Sequence, residues 1–278
     1  MGTIFEYKDR DIYFHHSVDE HPQDTDFTMH AHEVPELYCY LRGAATYWVE
    51  GHEYPLVPGC LMVIRQAETH KLEIRPGGPP YERFALHFSP QLLEGIDPEQ
   101  RLLAPFYDRP LGRGNQYIAE EFPALAPQAL LTAMSSPSTD TGQQRLTILS
   151  HLFALLAQLL SAASRREQED DAPSSERKPA EEIIRYINEH LFEPLSLEHL
   201  GRQFFLSTSH LNRIFRIATG SPIYEYILVK RLIAARENIR SGLTAGSAAQ
   251  LCGFQEYSSF YRAYTRHFGV SPKTDKPT

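Results

Sequence analysis

The sequence predicts an α+β chain of two domains. The first is an N-terminal β-barrel carrying a helical hairpin; the second is an all-α C-terminal domain with two helix-turn-helix units. Three observations predict this. The first 90 residues break into short alternating segments separated by turn residues. A charged stretch almost free of apolar residues follows the middle of the chain. Beyond it, one helical pattern occurs twice, 49 residues apart. A length of 278 residues suits two cores. The boundaries fall at 1–163 for the first domain, 164–178 for a flexible linker and 179–278 for the second domain.

Strand-length segments in the first domain are Glu36–Leu41, Ala45–Val49, Cys60–Ile64, His70–Ile74 and Arg83–Phe88, with turns at Gly43, Gly51-His52 and Pro58-Gly59. Short strands at this spacing predict a small barrel. Gln143–Ala163 then reads as a helix with a broad apolar stripe through Leu146, Leu149, Phe153, Leu156 and Leu160. Such a stripe is covered either by the barrel or by a second copy of the chain in a dimer. Ser164–Lys178 cannot bury a core and reads as the linker.

In the second domain, Leu211-Asn212-Arg213-Ile214-Phe215 returns as Phe260-Tyr261-Arg262-Ala263-Tyr264, and Gly220 returns as Gly269. A helix closed by glycine is thus used twice, each time after a shorter helical piece, Leu197–Gln203 or Gly246–Cys252. Between the copies, Pro222–Arg240 has apolar residues near helical spacing and would span roughly 28 Å at about 1.5 Å per residue. That approaches the roughly 34 Å between major-groove openings on one face of B-DNA. Two recognition helices on one rigid helix suit double-stranded DNA.

These residues resemble the DNA-binding domain of the AraC/XylS transcription regulators. The resemblance rests on Leu195–Leu200, Ser207, Leu211-x-Arg213-x-Phe215, Gly220, Tyr226, Arg231-Leu232, Ala235, Gly253-Phe254, Ser258, Phe260, Arg262 and Gly269–Pro272. The chain departs from that pattern with Ala245 and Ala248 in place of isoleucines, and with Asp275-Lys276 in place of a closing Tyr-Arg. Outward positions of the two recognition helices, Ser209, Asn212, Arg213 and Arg216, then Tyr257, Ser258, Ser259, Tyr261 and Arg262, are the expected DNA contacts. Lys230, Arg231 and Arg202 read instead as phosphate contacts or structural groups.

The barrel holds a second constellation. His30, His32 and Glu36 have the spacing H-x-H-x-x-x-E, followed by Gly43, and His70 lies on a later strand. If the segment is a strand, residues two apart share a face, so all three point inward. This resembles the first motif of the cupin superfamily, and a cupin-like barrel is the usual effector domain of the AraC/XylS regulators. Two readings stay open. The residues bind a divalent transition metal (Zn, Ni, Fe or Mn), or they line a pocket and hydrogen-bond a small polar effector directly. Trp48 either stacks on that effector or packs in the core.

Net charge is −8, from 27 Lys/Arg against 35 Asp/Glu. Residues 176–278 hold 14 basic and 10 acidic side chains, while 1–175 hold 13 and 25. A basic half on an acidic half fits a DNA reader joined to something else. Three cysteines without C-x-x-C spacing read as reduced thiols in the cytoplasm. Neither a signal peptide nor a bilayer-spanning apolar run is expected. The expectation is therefore a non-enzymatic, sequence-specific regulator. It senses a small polar effector, with a sugar the leading class. Its expected partners are DNA, a second copy of itself and RNA polymerase. The competing expectation is a cupin metalloenzyme, a dioxygenase or isomerase, fused to a DNA-binding domain.

Overall fold

The computed structural model of the protein describes residues 2–22, 29–75, 77–122, 124–169 and 179–275. The chain divides into two compact units. One comprises Met1–Thr28 and Val34–Glu176, the other Met29–Glu33 and Arg177–Thr278.

The first unit is built on antiparallel sheets. Strands β1 (Gly2–Lys8), β2 (Ile12–Asp19), β3 (Glu36–Arg42), β4 (Ala45–Val49), β5 (His52–Pro55), β6 (Leu61–Ile64), β7 (His70–Ile74), β8 (Tyr81–Phe88) and β9 (Gln116–Tyr117) form a six-stranded sheet, order β1-β2-β8-β3-β6-β9, and a three-stranded sheet, order β5-β4-β7. The five strands read from alternation are present within a residue or two at each end.

The large sheet has two unlike faces because side chains alternate along a strand. One face carries Ile12, Phe14, Leu37, Cys39, Phe84, Leu86 and Phe88. It packs against α1 (Ala104–Tyr107), α2 (Pro127–Met134) and α3 (Thr141–Glu169) through Phe106, Leu131, Met134, Ile148, Leu152, Leu155 and Leu159. The other face meets the small sheet through Tyr38, Tyr40, Tyr47, Val49, Met62, Ile64, Leu72 and Tyr81. Burying these rings and aliphatic chains contributes roughly 1.5–3 kcal/mol for each large side chain.

Helix α3 corrects two expectations. It extends to Glu169, so Ser164–Glu169 of the expected linker are helical, and the rest of that linker, 170–178, lies outside the described residues. The charged residues there are good helix formers, and Arg166 anchors the turn. Its guanidinium lies 3.8 Å from the Tyr117 ring centroid and donates to the Gln116 carbonyl and to Glu121. The same helix is long and apolar enough over Thr141–Arg166 to cross a bilayer by length and composition. Its inward residues are nevertheless spent on the sheet: Ile148, Leu152, Leu155, Leu156 and Leu159 are fully buried. Leu146, from the same stripe, is 69% exposed.

The second unit contains α4 (Pro179–Glu189), α5 (Leu197–Gln203), α6 (Thr208–Thr219), α7 (Ile223–Arg240), α8 (Ala245–Leu251) and α9 (Tyr257–Phe268). Pairs α5–α6 and α8–α9 are the two helix-turn-helix units. Gly220 and Gly269 close α6 and α9 in the left-handed conformation, at φ 78° and 72°. Helix α7 splits its apolar residues between two cores. Ile223, Tyr226 and Ile227 join α4–α6, and Leu232, Ala235 and Ile239 join α8 and α9. The second core tolerates alanine at Ala245 and Ala248 because aromatic rings fill it. Phe260 stacks edge-on against Tyr264 and lies beside Phe254, and Phe268 covers Tyr264. Asp275, a departure from the family pattern, is a fastening: it accepts from the Tyr264 hydroxyl at 2.9 Å and from Arg236 and Arg240 of α7.

Candidate functional site

Strand register defines the interior polar cluster. Across β2–β8, Tyr13 faces His87, His15 faces Ala85 and Ser17 faces Arg83. Across β3–β8, Glu36 faces His87, Tyr38 faces Ala85 and Tyr40 faces Arg83. Directly opposed residues share a face. That face is the one bearing Tyr38, Tyr40 and Tyr81, toward the small sheet. The small sheet returns Tyr47 opposite Leu72 and Val49 opposite His70.

Glu36 is the centre of this cluster. It is 4% exposed; its carboxylate lies 3.3 Å from His70 Nε2 and 3.6 Å from His87 Nε2. His70 Nδ1 lies 2.8 Å from the Glu68 carbonyl oxygen, which fixes the ring so that Nε2 points at Glu36. Burial opposes a charged His70, but the hydrogen bond and charge of Glu36 outweigh it and raise the imidazole pKa. Tyr47 stacks on His70 at 5.7 Å, and Tyr13 stacks on His87 at 5.8 Å. Burial, with the charge of Arg83, pushes His15 down to about 4, so it is neutral at pH 7. Burial and the Glu36 carboxylate raise Tyr47 well above the usual phenol value. The arrangement offers a carboxylate, imidazoles and several tyrosine rings on the inner wall.

One loop is tied beneath this end of the sheets by a buried ionic network. Glu68 is fully buried. It receives Arg109 through both terminal nitrogens at 2.9 and 2.7 Å, the Gly112 N–H at 2.9 Å and the Asn115 amide at 2.9 Å. Arg109 also donates to the Val63 carbonyl at 3.0 Å. Burial works against the Glu68 carboxylate, but Arg109 overrides it and holds the pKa below the ordinary value. Sequence reading missed this network because its members are 41 to 47 positions apart.

The structure brings together only part of the predicted set. Glu36 and His70 meet as expected. His30 and His32 belong to Met29–Glu33, which groups with the helical unit, and their rings lie 4.9 Å apart. The segment before Glu36 is not a strand, apart from a bridge at His30, so the two-residue alternation does not extend back to His32. Pro35, which has no N–H to donate, separates it from β3. Trp48 is also corrected. Tyr47 and Val49 face inward, so Trp48 faces out, where its indole N–H donates to Glu73 at 2.9 Å and Lys71 lies over the ring. His87, Tyr47, His15 and Arg83 take the interior positions instead. The β8 alternation around His87 was the available signal.

The recognition helices show a clean division of faces. In α6, Leu211 and Phe215 are buried, while Ser209, Arg213 and Arg216 are exposed. In α9, Phe260, Ala263 and Tyr264 are buried, while Tyr257, Ser258, Ser259, Tyr261 and Arg262 are exposed. Asn212 is the correction among the expected DNA contacts. It is half-buried, and its side-chain oxygen accepts from the Ile223 N–H at 3.2 Å, capping the start of α7. Two exposed residues on these faces were missed. His210 lies 3.2 Å from the Arg213 guanidinium, and Arg266 stands one turn beyond Arg262. Lys230 and Arg231 turn inward: Lys230 donates to Asn188 at 2.7 Å, and Arg231 binds three backbone carbonyls.

A polar cluster enclosed between sheets, in one chain with paired helix-turn-helix units, defines a DNA-binding transcription regulator with a ligand-binding domain. Residues 18–178 match the family described as AraC-like ligand binding domain, and residues 200–276 match that described as a helix-turn-helix domain. The first match alone covers more than half of the chain, which belongs to the AraC family of transcription regulators. A probable transcriptional regulator, LumQ of Photobacterium leiognathi, is 26% identical over 250 residues, covering 90% of this chain and 92% of that protein. The HTH-type transcriptional activator RhaR of Pectobacterium atrosepticum is 25% identical over 262 residues, covering 92% and 87%. Among solved structures, the DNA-binding domain of AdpA in complex with a target DNA is 26% identical, covering 34% of this chain and 87% of that one, with a TM-score of 0.33.

Proposed function

We propose that the chain regulates transcription in the cytoplasm in response to a small polar effector, a sugar or sugar derivative, bound against Glu36, His70 and His87. The observation that carries this reading is the Glu36–His70–His87 cluster, walled by tyrosines, inside an otherwise apolar interior. A carboxylate and imidazoles suit a hydroxyl-rich ligand, and tyrosine faces suit the apolar side of a sugar ring. The effector acts by favouring one arrangement of the chain over another, since equal affinity for both would shift nothing. DNA is read by Arg213 and Arg216 of α6 and by Tyr261, Arg262 and Arg266 of α9. The exposed Leu146 side of α3 is the surface proposed for a second copy, and RNA polymerase is the proposed partner at the promoter.

The second reading puts a divalent metal at Glu36, His70 and His87, whose facing atoms are carboxylate oxygen and imidazole nitrogen. Elemental analysis run beside a thermal-shift screen of monosaccharides, with and without chelator, separates the two. A sugar-induced shift that survives chelation and is lost in Glu36→Gln supports direct binding. Stoichiometric metal whose removal abolishes the shift supports the metal. No shift with any sugar, and unchanged DNA affinity, would sink the sugar reading.

A further inference from the structure

The two helix-turn-helix halves share α7 but not a core. Ile227 closes the first apolar cluster and Leu232 opens the second. Between the halves lies a cleft of about 700 Å³, with Leu195, Ile227, Leu228 and Phe254 among the residues on its walls. Packing therefore does not run continuously from one half to the other along this side.

Arg231 sits at this junction and reaches both halves. Its Nε donates to the Leu191 carbonyl at 2.8 Å and one terminal nitrogen to the Glu193 carbonyl at 2.6 Å. Both carbonyls lie in the connection between α4 and α5, in the first half. The other terminal nitrogen donates to the Gly253 carbonyl at 2.9 Å, in the turn that delivers the second recognition helix. At Gly253 the chain has φ +79°, and an added Cβ would meet the Phe192 carbonyl oxygen at 2.6 Å and the Arg231 guanidinium carbon at 3.0 Å. The turn before α9 is thus pressed onto the loop of the first half, with the guanidinium between them. Three donors in a fixed planar fork constrain orientation, and a single ammonium cannot reproduce them.

We infer that Arg231 is the positioning residue that sets the angle between the two recognition helices, and so the spacing of the two DNA boxes the protein reads together. This rests on the reading that both helices contact one duplex. The angle matters because small displacements lose base contacts worth roughly 1–3 kcal/mol each.

The test uses the full chain. A bipartite duplex is selected with the wild-type protein from random-sequence DNA, and variants are made with one box scrambled or the spacing changed by one base pair. Arg231→Lys keeps the charge, and Arg231→Ala removes it. We expect both to bind single-box duplexes within twofold of wild type but to lose at least tenfold on the bipartite duplex, with a smaller spacing penalty. Equal losses on single-box and bipartite DNA would overturn the inference and make Arg231 a general fold or phosphate contact. Unchanged bipartite affinity would overturn it too.

Pulsed electron resonance between spin labels at Q203C and Q250C, on the exposed surfaces of α5 and α8, reads the geometry without DNA, and the native cysteines are buried. The distance distribution should broaden or shift in Arg231→Lys; an unchanged distribution overturns the proposal. If selection returns only one-box sites, the two-box reading fails, while the resonance measurement still decides the role of Arg231.

Discussion

Replacing Glu68 with Gln should cost about 3–5 kcal/mol in the stability of the sheet unit. The side chain is fully buried and accepts four hydrogen bonds from the side chains of Arg109 and Asn115 and the N–H of Gly112, at 2.7 to 2.9 Å. The amide removes the charge opposite Arg109, whose side chain is only 8% exposed. It also turns an NH2 toward groups that are themselves donors. Breaking one side of a buried pair costs about 3–5 kcal/mol because the surviving charge is stranded. For a unit of this size that lowers the melting temperature by roughly 6–20 °C. Calorimetry on the full chain should show the sheet transition moving while the helical transition stays. Glu68→Gln combined with Arg109→Met should be much less destabilised than the sum of the single changes. A single-variant loss under about 1 kcal/mol, or strict additivity, would refute the argument. Because the Glu68 backbone also holds His70, the variant should weaken effector-induced stabilisation as well.

Three further outcomes follow. Arg213→Ala and Arg262→Ala should each cost about 1–3 kcal/mol in binding to the selected duplex and relax preference at one position, read by competition with single-base variants. His15 has a folded pKa of about 4, below its ordinary 6.5. The unfolded chain therefore takes up the proton first, and stability is lost as pH falls from 6.5 toward 4. The size is on the order of 2 kcal/mol after allowance for its residual exposure, and urea unfolding of His15→Gln should lose that part of the acid dependence. Asp275→Asn should destabilise the second helix-turn-helix half by about 1–3 kcal/mol, since Tyr264 and two arginines converge on that carboxylate. Hydrogen exchange should rise in α8 and α9 and stay unchanged in α5 and α6.

The sequence by itself determined what is local and periodic. Alternation placed β3, β4, β6, β7 and β8. The 49-residue repetition placed α6 and α9, and the same pattern identified which faces of those helices are buried, because a helix buries residues three and four apart whatever lies beyond it. Tertiary structure decided everything that depends on long-range approach. Pro35 ends the alternation before β3, so Glu36 acquires His87 of β8 and His70 of β7 as partners within the sheet unit. Trp48 is excluded from the interior by the strand neighbours that share its sheet. Glu68 reaches Arg109 and Asn115, Asp275 reaches back to α7, and Arg231 turns inward to three carbonyls rather than outward. A spacing in sequence specifies which side of an element a residue occupies. Which element it then meets depends on strand order and helix packing, and no local pattern encodes those.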